Sequence, residues 1–170
     1  MSSIIKVDQI QLSNGNTPTA GDLGLNTTGS VIQVVQGVYS AHSTITSSTM
    51  TDTGISQIIT PKSASSKILV SISAALASSA TNGAEIFTQI LRGSTSIRLY
   101  ERTFHHYVSS GGTNHGGGSY SLCFLDSPNT TSATTYKLQG RTDSGTLRIN
   151  DYYFGAGRNA STITLMEIAG

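Results

Sequence analysis

Hydrophobic and polar residues alternate with a period of two along much of this chain. In residues 68–77 one set of alternate positions is strongly apolar and the other is smaller and more polar. The first set is Ile68, Val70, Ile72, Ala74 and Leu76, and the second is Leu69, Ser71, Ser73, Ala75 and Ala77. A period of two is that of a β-strand, whose successive side chains point to opposite faces of the sheet. We therefore predict a central strand here.

Eight further segments have a strand-like pattern, and turn residues separate nearly all of them. They are residues 31–38, 55–60, 86–92, 96–102, 119–125, 135–141, 146–150 and 161–168. No segment repeats apolar residues at spacings of three and four without β-branched residues or glycine interrupting the pattern, so no helix is predicted. Short strands in this number leave a sandwich, a jelly roll or a small barrel. We predict an all-β fold, an antiparallel jelly-roll sandwich over residues 31–170.

Two glycines mark tight reversals between neighbouring strands. Gly93 lies between the segments 86–92 and 96–102, and Gly145 lies between 135–141 and 146–150. Glycine adopts positive φ at little cost, as hairpin turns require. Both sites predict antiparallel hairpins.

Residues 1–30 differ from the rest of the chain. A short apolar patch, Ile4-Ile5-Lys6-Val7, is followed by a run of Ser, Asn, Gly, Thr and Pro from residue 13 to residue 30. Such a segment buries too little apolar surface to fold alone. We interpret residues 1–30 as an extended anchoring arm, and the alternative is a terminus without a role.

The surface is predicted to be polar but nearly uncharged. Charged residues make up 11% of the chain, whereas Ser and Thr supply 49 of its 170 positions. The formal net charge is +1 and there is no run of Lys or Arg. Because phosphate binding needs clustered cations, neither nucleic acid nor an anionic membrane surface is a predicted partner.

The sequence also predicts no membrane insertion and no secretion. No stretch approaches about 18 consecutive apolar residues, and the first twelve residues lack the basic start and apolar run of a secretory signal. Cys123 is the only cysteine, so no intrachain disulfide is possible. These features predict synthesis in a cytoplasm.

Enzymatic chemistry is not predicted. The sequence has no Gly-x-Ser-x-Gly elbow, and its nine carboxylates are scattered. Nucleophilic catalysis needs a serine placed beside a base and an orienting acid. We expect no catalytic residues, no cofactor and no resident metal.

Two regions resemble proteins of tailed phages, especially phages of cyanobacteria and other marine bacteria. Residues 4–10 (Ile-Ile-Lys-Val-Asp-Gln-Ile), with Asn-Gly-Asn-Thr-Pro at 14–18, are similar to the short N-terminal segment of tail-fibre and related appendage proteins. Residues 31–36 and 59–70 resemble a domain common in the same proteins. Together these stretches cover about a third of the chain.

The C-terminal half resembles the C1q and tumour-necrosis-factor jelly rolls, which form compact homotrimers. Residues 120–125, 136–139 and 161–168 lie where those folds place core strands. The chain departs from that pattern because it has no collagen-like stalk and carries a Gly-rich insertion at 111–118. The resemblance does not carry over individual interface residues.

The resemblances imply a virion structural protein, made in the host cytoplasm, that works as a homotrimer. A tail-fibre or baseplate appendage is the first hypothesis, with the arm inserted into another virion protein and the jelly roll contacting host-surface polysaccharide. Ile4, Ile5, Val7 and Ile10 are the candidate anchoring residues. The alternative is a trimeric capsid decoration protein. A secreted lectin-like domain or glycan hydrolase is a third hypothesis, which the missing secretory signal disfavours.

One polar cluster remains as a candidate site. Its members are Arg102, His105, His106, Tyr107 and His115, and the glycines at 111, 112 and 116–118 predict an exposed loop over residues 102–118. Aromatic and histidine side chains on an exposed loop suit contact with a host glycan or protein. Plain exposed loop residues are the alternative. Three histidines at a threefold axis would also suit a metal, but adjacent histidines in a strand point to opposite faces.

Overall fold

The computed structural model describes residues 9–19, 22–23, 28–81, 83–106, 112–151 and 159–170, with only the backbone of His106 and Asn114. Over these ranges the chain forms ten strands and no helix. The strands are β1 (Val31–Tyr39), β2 (Ser43–Ile45), β3 (Thr51–Ile59), β4 (Lys67–Ala80), β5 (Ala84–Arg92), β6 (Thr95–His106), β7 (Asn114–Asp126), β8 (Thr134–Thr142), β9 (Thr146–Ile149) and β10 (Ser161–Ile168).

The strands form two antiparallel sheets. Apart from the short strands β2 and β9, sheet A has the order β1-β10-β4-β7 and sheet B has the order β3-β8-β5-β6. Counting these eight strands along the chain, the orders are first-eighth-third-sixth and second-seventh-fourth-fifth. These orders are those of a jelly roll, which consists of two Greek keys. The predicted fold class is confirmed.

Strand β4 is central, as its alternation predicts. It pairs with β7 along one side and with β10 and then β9 along the other. Its apolar set from Ile68 to Leu76 is at most 1% exposed and faces sheet B. The core between the sheets also contains Ile86 and Ile90 of β5, and Leu138 of β8. Burial of these aliphatic side chains, at about 25 cal/mol per Å² of apolar surface, supplies the main stabilisation of the sandwich.

One of the two predicted hairpins is confirmed and the other is wrong. Strands β5 and β6 form a hairpin whose turn begins at Gly93, with φ of 58°. Gly145 also has positive φ, 71°, but β8 pairs with β3 and β5 in sheet B, whereas β9 pairs with β4 and β2 in sheet A. The turn at Gly145 therefore carries the chain from one sheet to the other. Local sequence predicts that a chain reverses, but not which neighbour its strand joins.

The predicted loop over residues 102–118 is also wrong in extent. Strand β6 continues to His106 and β7 begins at Asn114, so the connection is residues 107–113. The glycines at 116–118 lie within β7 and pair with Ser78, Ala77 and Leu76 of β4. The sequence also gave no indication of the three-residue strand β2.

Gly117 is required by the close approach of β4 and β7. A Cβ atom at Gly117 would lie 2.5 Å from the carbonyl oxygen of Leu76 and 2.6 Å from Cα of Ala77, whereas a Cβ at Gly118 would meet nothing within 4 Å. We expect Gly117→Ala to lower the free energy of unfolding by about 1–3 kcal/mol, because backbone atoms cannot move aside. Gly118→Ala is the matched control, with a change below about 1 kcal/mol. Chemical denaturation measures both, and equal losses would contradict the role assigned to Gly117.

A buried carboxylate joins the two sheets at the end of the sandwich where β1 begins. Asp126 of β7 accepts hydrogen bonds from Nη1 of Arg92, at 2.9 and 3.0 Å, and from the hydroxyl of Tyr136 at 2.7 Å. Arg92 lies on β5 and Tyr136 on β8, so one side chain of sheet A holds two of sheet B. Burial and the adjacent carboxylate raise the pKa of Tyr136, which keeps its phenol protonated as the donor.

A second buried carboxylate holds the connection between β3 and β4. Glu167 of β10 is 0% exposed and accepts hydrogen bonds from the backbone nitrogens of Lys62 and Ser63 and from Nε2 of Gln33. Burial of the carboxylate acts to raise its pKa. The hydrogen bonds from Gln33 and the two backbone nitrogens outweigh burial and hold the pKa of Glu167 below its usual range.

Candidate functional site

The outer face of sheet A, which points away from the core, is the candidate interaction surface. Three rows of side chains cross its four strands β1, β10, β4 and β7 in register. The rows are Val34, Met166, Leu69 and Leu125; Gln36, Thr164, Ser71 and Cys123; and Val38, Thr162, Ser73 and Ser121. Side chains alternate along each strand, so the residues between these row positions face the core.

Hydrophobic side chains are exposed in this face. Val34 is 54% exposed, Val38 is 63% exposed and Leu125 is 47% exposed. None of the twelve residues of the three rows is charged. Exposed apolar side chains that lie together in a row, without charges among them, are typical of a contact surface.

The outer face of sheet B differs in carrying charged groups, and it also exposes Ile58 and Leu99, at 57% and 47%. Lys137 donates a hydrogen bond to Asp52 at 2.8 Å, Arg102 pairs with Glu85 at 3.1 Å, and the guanidinium of Arg141 lies 3.6 Å from the centre of the Phe87 ring. Charged side chains are most stable when they are hydrated, and burying them in an interface costs free energy of desolvation. The outer face of sheet A therefore favours contact with another protein surface, whereas the outer face of sheet B favours solvent or a polar ligand.

Cys123 belongs to the sheet A face. A lone cysteine on a predicted strand, with no cation beside it in the sequence, predicts an inert core thiol. The structure corrects that prediction, because the side chain is exposed and lies beside Ser71 in the middle row. Its neighbours Leu122 and Phe124 take the core-facing positions. The error arose because alternation alone does not say which set of β7 points inward.

The structure separates the polar cluster that the sequence placed on one loop. Arg102 occupies a bulge of β6 with φ of 53° and pairs with Glu85, and His105 is exposed and lies opposite Glu85 on sheet B. His115 lies on β7 of sheet A, opposite Ser79 and half-buried.

The other two members of the cluster, His106 and Tyr107, directly follow His105 in the sequence. His106 ends β6 opposite Ala84, with its backbone alone described, and Tyr107 lies outside the described residues. His105 and His115 lie on different sheets, so the histidines do not form one site. Among the described residues, no group of three or more His, Cys, Asp or Glu side chains is arranged to hold a metal ion.

The arm joins the β domain at the opposite end of the sandwich from the end of β6 and the start of β7. Gly29 donates a hydrogen bond to the carbonyl of Ala169, whose own nitrogen donates to the carbonyl of Ser30, at 2.8 Å each. The loop of residues 107–113 connects strand ends that pair with Ala80 and Ala84. Strand β4, with fourteen residues, runs between the two ends and spans roughly 45 Å.

The structure describes residues 9–19, 22–23 and 28–30 of the arm. Ile4, Ile5 and Val7 lie outside the described residues, and Ile10 is 52% exposed. Hydrogen bonds within residues 9–23 are local, such as those from Thr19 to the carboxylate of Asp22. In the described part of residues 9–23, no hydrogen bond reaches the β domain. No helix in the described ranges is long and apolar enough to cross a membrane.

The comparisons with known proteins give no family. No protein-family model matches the chain, and no curated protein matches it. The chain is similar to solved structures of infectious bursal disease virus: the Gx strain (TM-score 0.38, 12% identity, 96% of this chain and 43% of that one), the T13 viral particle (0.38, 14%, 81% and 36%) and the VP2 subviral particle (0.35, 16%, 81% and 38%). The chain thus spans less than half the length of each. At these scores the similarity supports no inference, and the jelly roll is assigned from its strand order.

Proposed function

We propose that this chain is a non-enzymatic structural protein of a phage particle, which works as a homotrimer and is attached through its N-terminal arm. The observation that carries the proposal is the set of three uncharged and partly apolar rows on the outer face of sheet A. A virion protein that assembles through a flat sheet face needs such a surface, whereas a free monomer exposes it to water at a cost.

Self-association through sheet A accounts for the contrast between the two sheets. Copies that meet through this face bury Val34, Leu69 and Leu125 and leave the charged side chains of sheet B in water. Closed cyclic assemblies are the usual form of soluble homo-oligomers. The resemblance to trimeric jelly rolls favours three copies.

An appendage on the tail is the more specific form of the proposal. The arm leaves the β domain at one end, and the end of β6 and the start of β7 lie at the other, so attachment at the first end leaves the second directed away from the particle. This arrangement supports an anchored module that presents its far end and its sheet B faces to the host surface.

The anchoring role is tested by charging the apolar patch of the arm. We expect a variant with Ile4→Asp and Ile5→Asp to melt at the same temperature as the unaltered protein but to be missing from purified particles, because a carboxylate opposes burial in a partner protein. Quantitative mass spectrometry of particles from infected cells measures incorporation. Ser2→Asp with Ser3→Asp is the matched control, which adds the same charge beside the patch and should incorporate normally.

Two outcomes would contradict the proposal in different ways. Normal incorporation of the Ile4 and Ile5 variant would show that the patch does not anchor the chain. Particle images in which a labelled chain lies on the shell rather than the tail would replace the appendage by the capsid decoration protein.

A further inference from the structure

A row of hydrogen-bonded polar side chains crosses the outer face of sheet B. Gln139 of β8 donates from Nε2 to Asp52 of β3 at 2.6 Å, Gln89 of β5 donates from Nε2 to Oε1 of Gln139 at 2.7 Å, and Ser96 of β6 donates to Oε1 of Gln89 at 2.8 Å. One side chain from each of the four strands thus takes part. The row fixes the orientation of two amides and a carboxylate on an otherwise open face.

The amides keep hydrogen-bonding capacity for a ligand. A glutamine side chain has two N–H donors and two acceptor lone pairs, and these contacts use one N–H of each of Gln89 and Gln139. Both side chains are half-buried, and their orientation is set by their neighbours. A donor that is already fixed loses little rotamer entropy when it binds, which favours affinity.

An aromatic and guanidinium pair lies beside this row. Phe87 and Arg141 are directly opposite each other, two residues along β5 and β8 from Gln89 and Gln139, and therefore on the same face. The guanidinium carbon is 3.6 Å from the ring centre, so the two groups are stacked. The pair adds a flat surface and several N–H donors about 7 Å from the row.

Four formal charges on this face form two ion pairs across strands, whereas the guanidinium of Arg141 stacks on Phe87. Asp52 accepts from Lys137 and Gln139, and these hydrogen bonds lower the pKa of its carboxyl despite slight burial, so it is ionised. Glu85 pairs with Arg102. A face that, over the described residues, carries a single guanidinium beyond its two ion pairs gives no strong attraction to a polyanion or a cation. It suits a ligand that is rich in hydroxyl groups and uncharged.

We propose that the outer face of sheet B binds a neutral oligosaccharide along the row from Asp52 to Ser96. Sugar hydroxyls match amide and carboxylate groups, and the C–H face of a pyranose suits the stacked Phe87 and Arg141. Neighbouring strands are about 4.8 Å apart, which is close to the length of one sugar unit, so each strand meets successive units. The inference rests on the proposed function in one respect. If copies meet through sheet A, the outer face of sheet B of each copy points away from the contact, and several copies bind one polysaccharide with higher avidity.

The test is native gel electrophoresis of the full chain through gels that contain dextran, mannan or galactan, with heparin as a polyanion. We expect at least one neutral polysaccharide to retard the protein. A variant with Gln89→Ala and Gln139→Ala should bind that polysaccharide about tenfold more weakly or worse. Thr135→Ala, on the same face but outside the row, should bind normally. Phe87→Leu, which keeps an apolar side chain but removes the aromatic ring, gives a second measurement if the double variant does not fold.

Each other outcome overturns the inference. This site is excluded if none of the three neutral polysaccharides retards the protein, or if heparin alone does. It is also excluded if the Gln89 and Gln139 double variant and Phe87→Leu both bind as the unaltered protein does. Light scattering on the same samples separates this result from the proposed function. If the protein is a monomer that binds the polysaccharide, self-association is wrong but the binding site is supported. If it is a trimer that binds none of them, self-association is supported but the binding site is wrong.

Discussion

Replacing Asp126 with alanine should lower the free energy of unfolding by about 3 kcal/mol, as expected when one member of a buried ion pair is removed. The Asp126 side chain is 8% exposed and is the shared acceptor for Arg92 and Tyr136. Without it, the phenol hydroxyl of Tyr136 loses its acceptor and the guanidinium of Arg92 keeps only the carbonyl of Ser127. The change also removes a direct link between the two sheets, so loss of cooperativity should accompany loss of stability.

Asp52→Ala is the matched control for this prediction. Asp52 also accepts hydrogen bonds from two side chains, Lys137 and Gln139, but its side chain is 53% exposed. Exposed ion pairs contribute about 0–1 kcal/mol because water replaces the lost contacts. Urea denaturation at one fixed protein concentration measures both variants, since association and folding are linked. Equal destabilisation by the two changes would show that the link through Asp126 is not special.

Val34→Glu should separate the proposed homotrimer into monomers. Val34 is 54% exposed in the apolar row of sheet A, and a carboxylate there must either be desolvated in the contact or keep the copies apart. We expect the dissociation constant to rise by about a hundredfold or more, which corresponds to roughly 3 kcal/mol. Light scattering should give three times the chain mass of 17.8 kDa for the unaltered protein and the single-chain mass for Val34→Glu.

Ile58→Glu is the control that tests which sheet forms the contact. Ile58 is also β-branched, is 57% exposed and lies on the edge strand of sheet B, as Val34 does on sheet A. Ile58→Glu should remain trimeric. If instead both variants are trimers, the outer face of sheet A is not the subunit contact, and if the unaltered protein is a monomer at micromolar concentration, the homotrimer itself is wrong.

The candidate site shows where sequence reasoning stopped. Alternation identified the small and apolar set from Leu69 to Ala77 as one face of a strand. It could not show that Val34, Met166 and Leu125 continue that face, because pairing brings together strands distant in sequence. Likewise, proximity along the chain grouped Arg102, His105 and His115, whereas the fold places the first two on sheet B and the third on sheet A.

The sequence by itself determined the class of fold, because a period of two, β-branched residues and glycine turns are local properties that each segment carries. It predicted β4 as a central strand for the same reason. Only the tertiary structure decided that the chain changes sheets at Gly145, that Gly117 must lack a side chain, and that Asp126 and Glu167 are buried acceptors. These facts depend on contacts between segments far apart in the chain, and a pattern of residue types does not specify which segments pack against each other.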